Sequence, residues 1–145
     1  VFFADSFLTP FTAFLTTLGV VIAAWGGVML ADIALRRKDY DEPSLFTPSG
    51  RYGSVNWGAV ASLIVGSLVG WGLVVNASAS WLSWQGYLLG PLGGREGDWA
   101  GANIGILLAM VVGFVGYWAT SAGRVRAQEK MPSRTYAQGA DEGEQ

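Results

Sequence analysis

The chain has 145 residues, of which 51% are apolar and only 14% charged; its net charge is −2, and it contains neither cysteine nor histidine. That balance fits lipid better than water. It removes disulfide, thiolate and imidazole chemistry, and without a basic stripe it offers no footing for nucleic acid.

The opening residues, Val1-Phe-Phe-Ala-Asp5, carry neither an initiator methionine nor the cationic start of a secretory leader, so the chain is expected to be a piece of a longer one. Three windows are long enough to cross a bilayer: Thr12 to Leu35, Asn56 to Val75 and Ala102 to Ser121. A hydrocarbon core of about 30 Å needs roughly 20 apolar residues in helical conformation. None of the windows shows the wet face of a soluble amphipathic helix. The expected fold is therefore all-α and integral to the membrane, with residues 1–145 the C-terminal part of one larger membrane domain.

In the first window, Thr9-Pro10 predicts a cap followed by a first-turn proline. Gly26-Gly27 at its middle lowers the cost of a bend or of close packing. Trp25 beside them predicts a ring that fills a gap against a neighbouring helix, with a substrate-lining role as the alternative. Asp32 is the one ionisable residue inside the windows. It reads either as an ion relay or as an anchor; Arg36, one turn on, favours the anchor through an i, i+4 pair in which both groups snorkel to the interface.

The connection 36–55 holds Arg36, Arg37, Lys38 and Arg51, and its prolines and glycines predict irregular backbone. The connection 76–101 contains a single cation, Arg95, whereas the tail 122–145 carries Arg124, Arg126, Lys130 and Arg134 before the acidic end Asp141-Glu-Gly-Glu144. By the positive-inside bias the first connection and the C-terminus are cytoplasmic and the second connection is outside. Trp81, Trp84 and Tyr87, at three-residue spacing, predict a short interfacial helix with its rings at headgroup depth. Asn76-Ala-Ser78 matches a glycosylation acceptor, a pattern short enough to arise by chance.

Each window carries small residues four apart: Gly19, Ala23, Gly27, Ala31 in the first, Gly58, Ser62, Gly66, Gly70 in the second and Gly101, Gly105, Ala109, Gly113 in the third. In lipid such rows let backbones approach closely, so all three helices are expected to pack against neighbours.

The stretch "GGVMLADIALRRKDYD", followed after a loop by "GSVNWGAVASLIVG", resembles the nucleobase:cation symporter-1 family, which includes the cytosine, purine, allantoin and hydantoin permeases. The matching elements are Gly26-Gly27-Val28, Leu30-Ala31-Asp32, Arg36-Arg37-Lys38 and Val55-Asn56-Trp57. Ile33 and Ala24-Trp25 depart from the family pattern. The resemblance implies a leucine-transporter-type fold with two inverted repeats, of which this chain supplies the last core helix and two peripheral helices. It implies cation symport of a nucleobase, cytosine or a purine in the first instance, with a sodium ion or proton as coupling ion. Substrate and ion would bind on helices absent from this chain, so no substrate-binding residue and no cofactor is expected here. The expected partners are the lipid bilayer, the remaining transporter helices and, through that missing core, the nucleobase. Gly26 and Gly27 would serve as hinge or close-packing residues of a helix that bends over the outer vestibule, with Asp32, Arg36 and Arg37 anchoring its cytoplasmic end.

Two other classes compete. A free-standing three-span scaffold or accessory subunit would show the same hydropathy. An enzyme has little to build on, since no nucleophile or acid–base pair can be nominated.

Overall fold

The computed structural model describes residues 2–37, 55–76, 79–97 and 99–130. The irregular connection expected around residues 38–54, with Lys38 and Arg51, and the tail from residue 131, with Arg134 and the acidic end, lie outside them. Three helices make up the fold: α1 (Phe2–Leu35), α2 (Trp57–Gly72) and α3 (Ile104–Glu129). α3 packs along both of the others, most extensively along α1.

α1 starts a full ten residues before the expected first window, and Thr9-Pro10 lies inside it rather than at its cap. Proline deletes one i→i−4 hydrogen bond, but continuing the helix keeps the others, and apolar surroundings favour that outcome. Phe7 and Phe11, either side of the proline, stack at 5.4 Å. Within α1, Phe7–Leu35 is long and apolar enough to cross a membrane, as is α3.

α2 ends at Gly72, three residues short of the expected Val75. Its start is set by Asn56, whose side chain accepts the Ala59 N–H at 3.4 Å. The stop comes from the chain that follows. That chain turns back, and the Gly86 and Leu88 N–H groups donate to the Trp71 and Gly72 carbonyls at 2.9 and 2.8 Å, which a helix C-terminus leaves without intrahelical partners. The return also replaces the interfacial helix expected over Trp81, Trp84 and Tyr87. Only a 3-10 turn forms there, Ser80–Leu82, and Gly86 at φ +79° takes the backbone into the left-handed region.

α3 runs two turns past the expected end at Ser121. Hydropathy alone missed these turns because Arg124 and Arg126 interrupt the apolar run; Val125 and Gln128 nevertheless fall on the buried face and hold the helix to the end of α1.

The core is a seam of small and β-branched residues. Val20 and Ala24 of α1 meet Ala109 of α3 and Val74 beyond α2, while Val28, Ala31 and Leu35 meet Tyr117 and Val125. Trp25 is not part of it. The ring is 56% exposed on the outer side of α1, so the gap-filling role expected for it is not served by α2 or α3.

Candidate functional site

Ala24 is held between glycines of the other two helices. Its carbonyl lies where a Cβ on Gly113 would have to sit, and its Cβ would lie 3.2 Å from one built on Gly66. A Cβ on Gly66 would also approach the Ala109 carbonyl to 2.9 Å. Gly70 is closed in by Val20, Ala109 and the Gly105 carbonyl, and Gly58 by Thr120 and Ser121. Ser62 is buried, its hydroxyl donating to the Gly58 carbonyl at 2.7 Å. The four positions of α2 thus share one buried or half-buried face.

On α1 the register differs from the expected row. A Cβ on Gly27 would overlap the Met110 carbonyl, whereas Gly26 and Gly19 have nothing within 4 Å. The buried positions run Val20, Ala24, Gly27, Ala31, at spacings of four, three and four. Gly101 likewise drops out: it belongs to a 3-10 turn before α3 and is exposed. Of the two glycines, Gly27 lies against the Met110 backbone and Gly26 faces open space. α1 is unbroken through both.

At the Arg36 end of the bundle, five side chains from all three helices form a polar knot. Arg36 donates from Nε to Asp32 Oδ2 at 2.8 Å and from Nη2 to Asp32 Oδ1 at 3.1 Å. The Tyr117 hydroxyl donates to the same carboxylate and accepts from Asn56 Nδ2 at 3.2 Å. Arg36 Nη2 also reaches Gln128 Oε1 at 3.4 Å, and the Arg37 backbone N–H donates to Glu129. The Arg36 and Asp32 side chains are only 12% and 16% exposed, so this is not a freely solvated pair. Its carboxylate accepts from a cation and from a phenol at once.

A second knot lies at the opposite end. Thr17 Oγ1 donates to the Ala13 carbonyl at 2.9 Å and accepts from Asn76 Nδ2 at 3.2 Å and Gln85 Nε2 at 3.1 Å, which uses the full capacity of a hydroxyl. Asn76 Nδ2 and Gln85 Oε1 are 2.6 Å apart. Trp71 Nε1 donates to the Thr17 carbonyl at 3.0 Å, and the edge of Trp84 packs on Trp71. The Asn76 amide is thus engaged within the fold; residues 77 and 78 of the acceptor pattern lie outside the described residues. Among the described residues, every buried side-chain nitrogen and oxygen has a partner. Neither knot leaves an orphan that points to a bound group.

Reading the sequence missed Tyr117, Gln128, Thr17 and Gln85. One signal was available: Gly105, Ala109, Gly113, Tyr117, Ser121 and Val125 continue a single four-residue row, all buried. The polar members of that row are the ones to suspect of contacts across helices.

A family model described as permease for cytosine/purines, uracil, thiamine, allantoin matches residues 3–90, which is 88 of the 145 residues. The match takes in α1, α2 and the returning segment. No curated protein and no solved structure matches the chain.

Proposed function

Because the chain belongs to the family of permeases for cytosine/purines, uracil, thiamine and allantoin, a transporter family of the membrane, we propose that it forms part of a nucleobase permease driven by cation symport. In this reading α1 is the last core helix, and α2 and α3 are the peripheral pair that holds it. Cytosine or a purine is the first substrate to try, with sodium or a proton as coupling ion. Both would bind on helices other than these three.

The observation that carries the reading is the unequal seating of α1. From Ala13 to Leu35 it is fixed by the seam and, at both ends of that stretch, by a polar knot. Ahead of Ala13, Phe7, Leu8 and Phe11 are exposed, and Pro10 removes a helical hydrogen bond. A gating motion of α1 would then belong to the arm before Ala13 and not to Gly26-Gly27, where Gly27 is held beneath Met110. The Arg36 end, with its cations, is the cytoplasmic end by the positive-inside bias, and the Asn76–Gly101 connection is outside.

Two measurements test this. Radiolabelled cytosine should be taken up by the full-length permease, with uptake abolished when the cation gradient is collapsed, while the purified 145-residue piece should bind no nucleobase saturably. Competable, stoichiometric binding by the piece would refute the assignment of its helices. For orientation, Glu96→Cys should react with an impermeant maleimide on intact cells and Lys130→Cys only after lysis; the reverse would overturn the topology.

A further inference from the structure

α2 is the short helix of the three. Its 16 residues span about 24 Å at 1.5 Å per residue, less than the roughly 30 Å of a hydrocarbon core. The chain that follows does not leave the bundle. It returns along the side of α2, and the Tyr87 hydroxyl donates to the Leu68 carbonyl, a full turn inside the end of the helix. Leu88 packs over Gly72, where any Cβ would strike it.

Irregular backbone survives at such depth where its polar groups are satisfied within the protein, and several groups of this segment are tied to α2 and α1 in that way. The Gly86 and Leu88 N–H groups are taken by α2 carbonyls, the Gln85 amide by Asn76 and Thr17, and the Gln85 side chain is nearly inaccessible at 2%. What the segment shows outward is mostly apolar: Trp81, Trp84, Tyr87 and Leu88 are exposed, with Ser80 and Ser83 beside the tryptophans, while Leu82 and Leu89 point in. The first cation after it, Arg95, lies back beside Gly86, its Nε 3.4 Å from where a Cβ would be. That contact puts a phosphate-seeking group at the level of the α2 terminus and leaves Tyr87 and Leu88 below it.

We infer that the segment Ser80–Leu92 is a re-entrant wedge whose exposed face is covered by lipid of the leaflet at the C-terminal end of α2, with Tyr87 and Leu88 at acyl depth and Trp81 at headgroup level. The inference rests on the membrane placement proposed above.

The experiment uses the full-length protein on a cysteine-free background in phosphatidylcholine vesicles. Single nitroxide labels are placed at Leu88→Cys, Trp81→Cys, Ile64→Cys and Glu96→Cys, and collisions with oxygen and with a neutral water-soluble nickel chelate are compared. Ile64 is exposed at mid-helix on α2 and reports whether that helix is in lipid. The expected depth order is Ile64, then Leu88, then Trp81, with Glu96 in water. If Ile64 is open to nickel, the membrane placement itself fails. If Ile64 is lipid-exposed while Leu88 and Trp81 are as open to nickel as Glu96, the segment is an aqueous loop and the wedge is overturned. Should Leu88→Cys fail to fold, Trp81→Cys decides between the same two outcomes.

Discussion

The Tyr117 hydroxyl on α3 donates a hydrogen bond to Asp32 on α1, a residue already held by Arg36. That shared carboxylate ties together two helices far apart in the chain, and Asn56, donating to the same hydroxyl, brings in α2. Hydrogen bonds to charged groups in surroundings of low dielectric are stronger than their counterparts in water.

Tyr117→Phe keeps the ring and deletes the hydroxyl. The Asn56 amide loses its acceptor and Asp32 loses a donor. A loss of about 1.5–3 kcal/mol is expected, the range for hydrogen bonds to charged groups. It should register as a lower melting temperature of the full-length permease in detergent. A melting temperature equal to wild type would show that water replaces the hydroxyl fully.

Asp32→Asn separates an anchor from an ion relay. An exposed pair would lose only about 0–1 kcal/mol, but with both partners mostly shielded the substitution removes the charge that Arg36 Nε and Nη2 both reach. A cost of about 2 kcal/mol is expected, between that figure and the 3–5 kcal/mol of fully buried pairs. Uptake by the surviving protein should keep its dependence on the ion gradient. Uptake that no longer follows the gradient, with substrate binding intact, would make Asp32 a relay.

Adjacent glycines on α1 should respond in opposite ways. Gly26→Ala adds a methyl to open space and should be neutral or raise stability by up to about 1 kcal/mol through helix propensity. Gly27→Ala drives a methyl into the Met110 carbonyl and should cost about 1–3 kcal/mol, as overpacking does. Gly66→Leu with Gly70→Leu should be more severe, lowering expression or thermal stability while substrate affinity in the remaining protein is little changed. Parallel melting curves of the two alanine variants check the register of α1 directly.

Thr17→Val removes the hydroxyl on which Asn76 and Gln85 converge. Asn76 Nδ2 keeps the Ala13 carbonyl at 3.4 Å and Gln85 Oε1, while Gln85 Nε2 loses its acceptor, at about 1–3 kcal/mol for a group that stays buried and unpaired. Hydrogen exchange at Gly86 and Leu88 should speed up relative to the amides of α2's first turns, because the returning segment is anchored through this hydroxyl. Unchanged exchange at both would place the anchor elsewhere, on Trp71 and Trp84.

Much of this was legible in the sequence because it concerns the inside of one helix. The rise and turn of an α-helix are fixed, so apolar windows located all three helices, and an i, i+4 spacing put Asp32 within reach of Arg36. The motifs around Gly26, Asp32 and Asn56 pointed to the permease family that the match over residues 3–90 shows. Small residues four apart on α2, and from Gly105 onward on α3, lie on the sides that face neighbouring helices.

The tertiary structure decided what depends on how one helix is rotated and set in depth against another. It set Gly27 and not Gly26 under the Met110 carbonyl, and the seam through Val20 and Ala24 rather than the row through Gly19, because α1 is rotated to that side against α3. It gave Asp32 a second partner, Tyr117, 85 residues further along the chain. It turned the expected interfacial helix into a returning segment because the carbonyls at the end of α2 take its N–H groups. Helical periodicity repeats every few residues and so leaves several rotations nearly equivalent; the collision of particular backbone atoms and the pairing of buried polar groups remove that degeneracy.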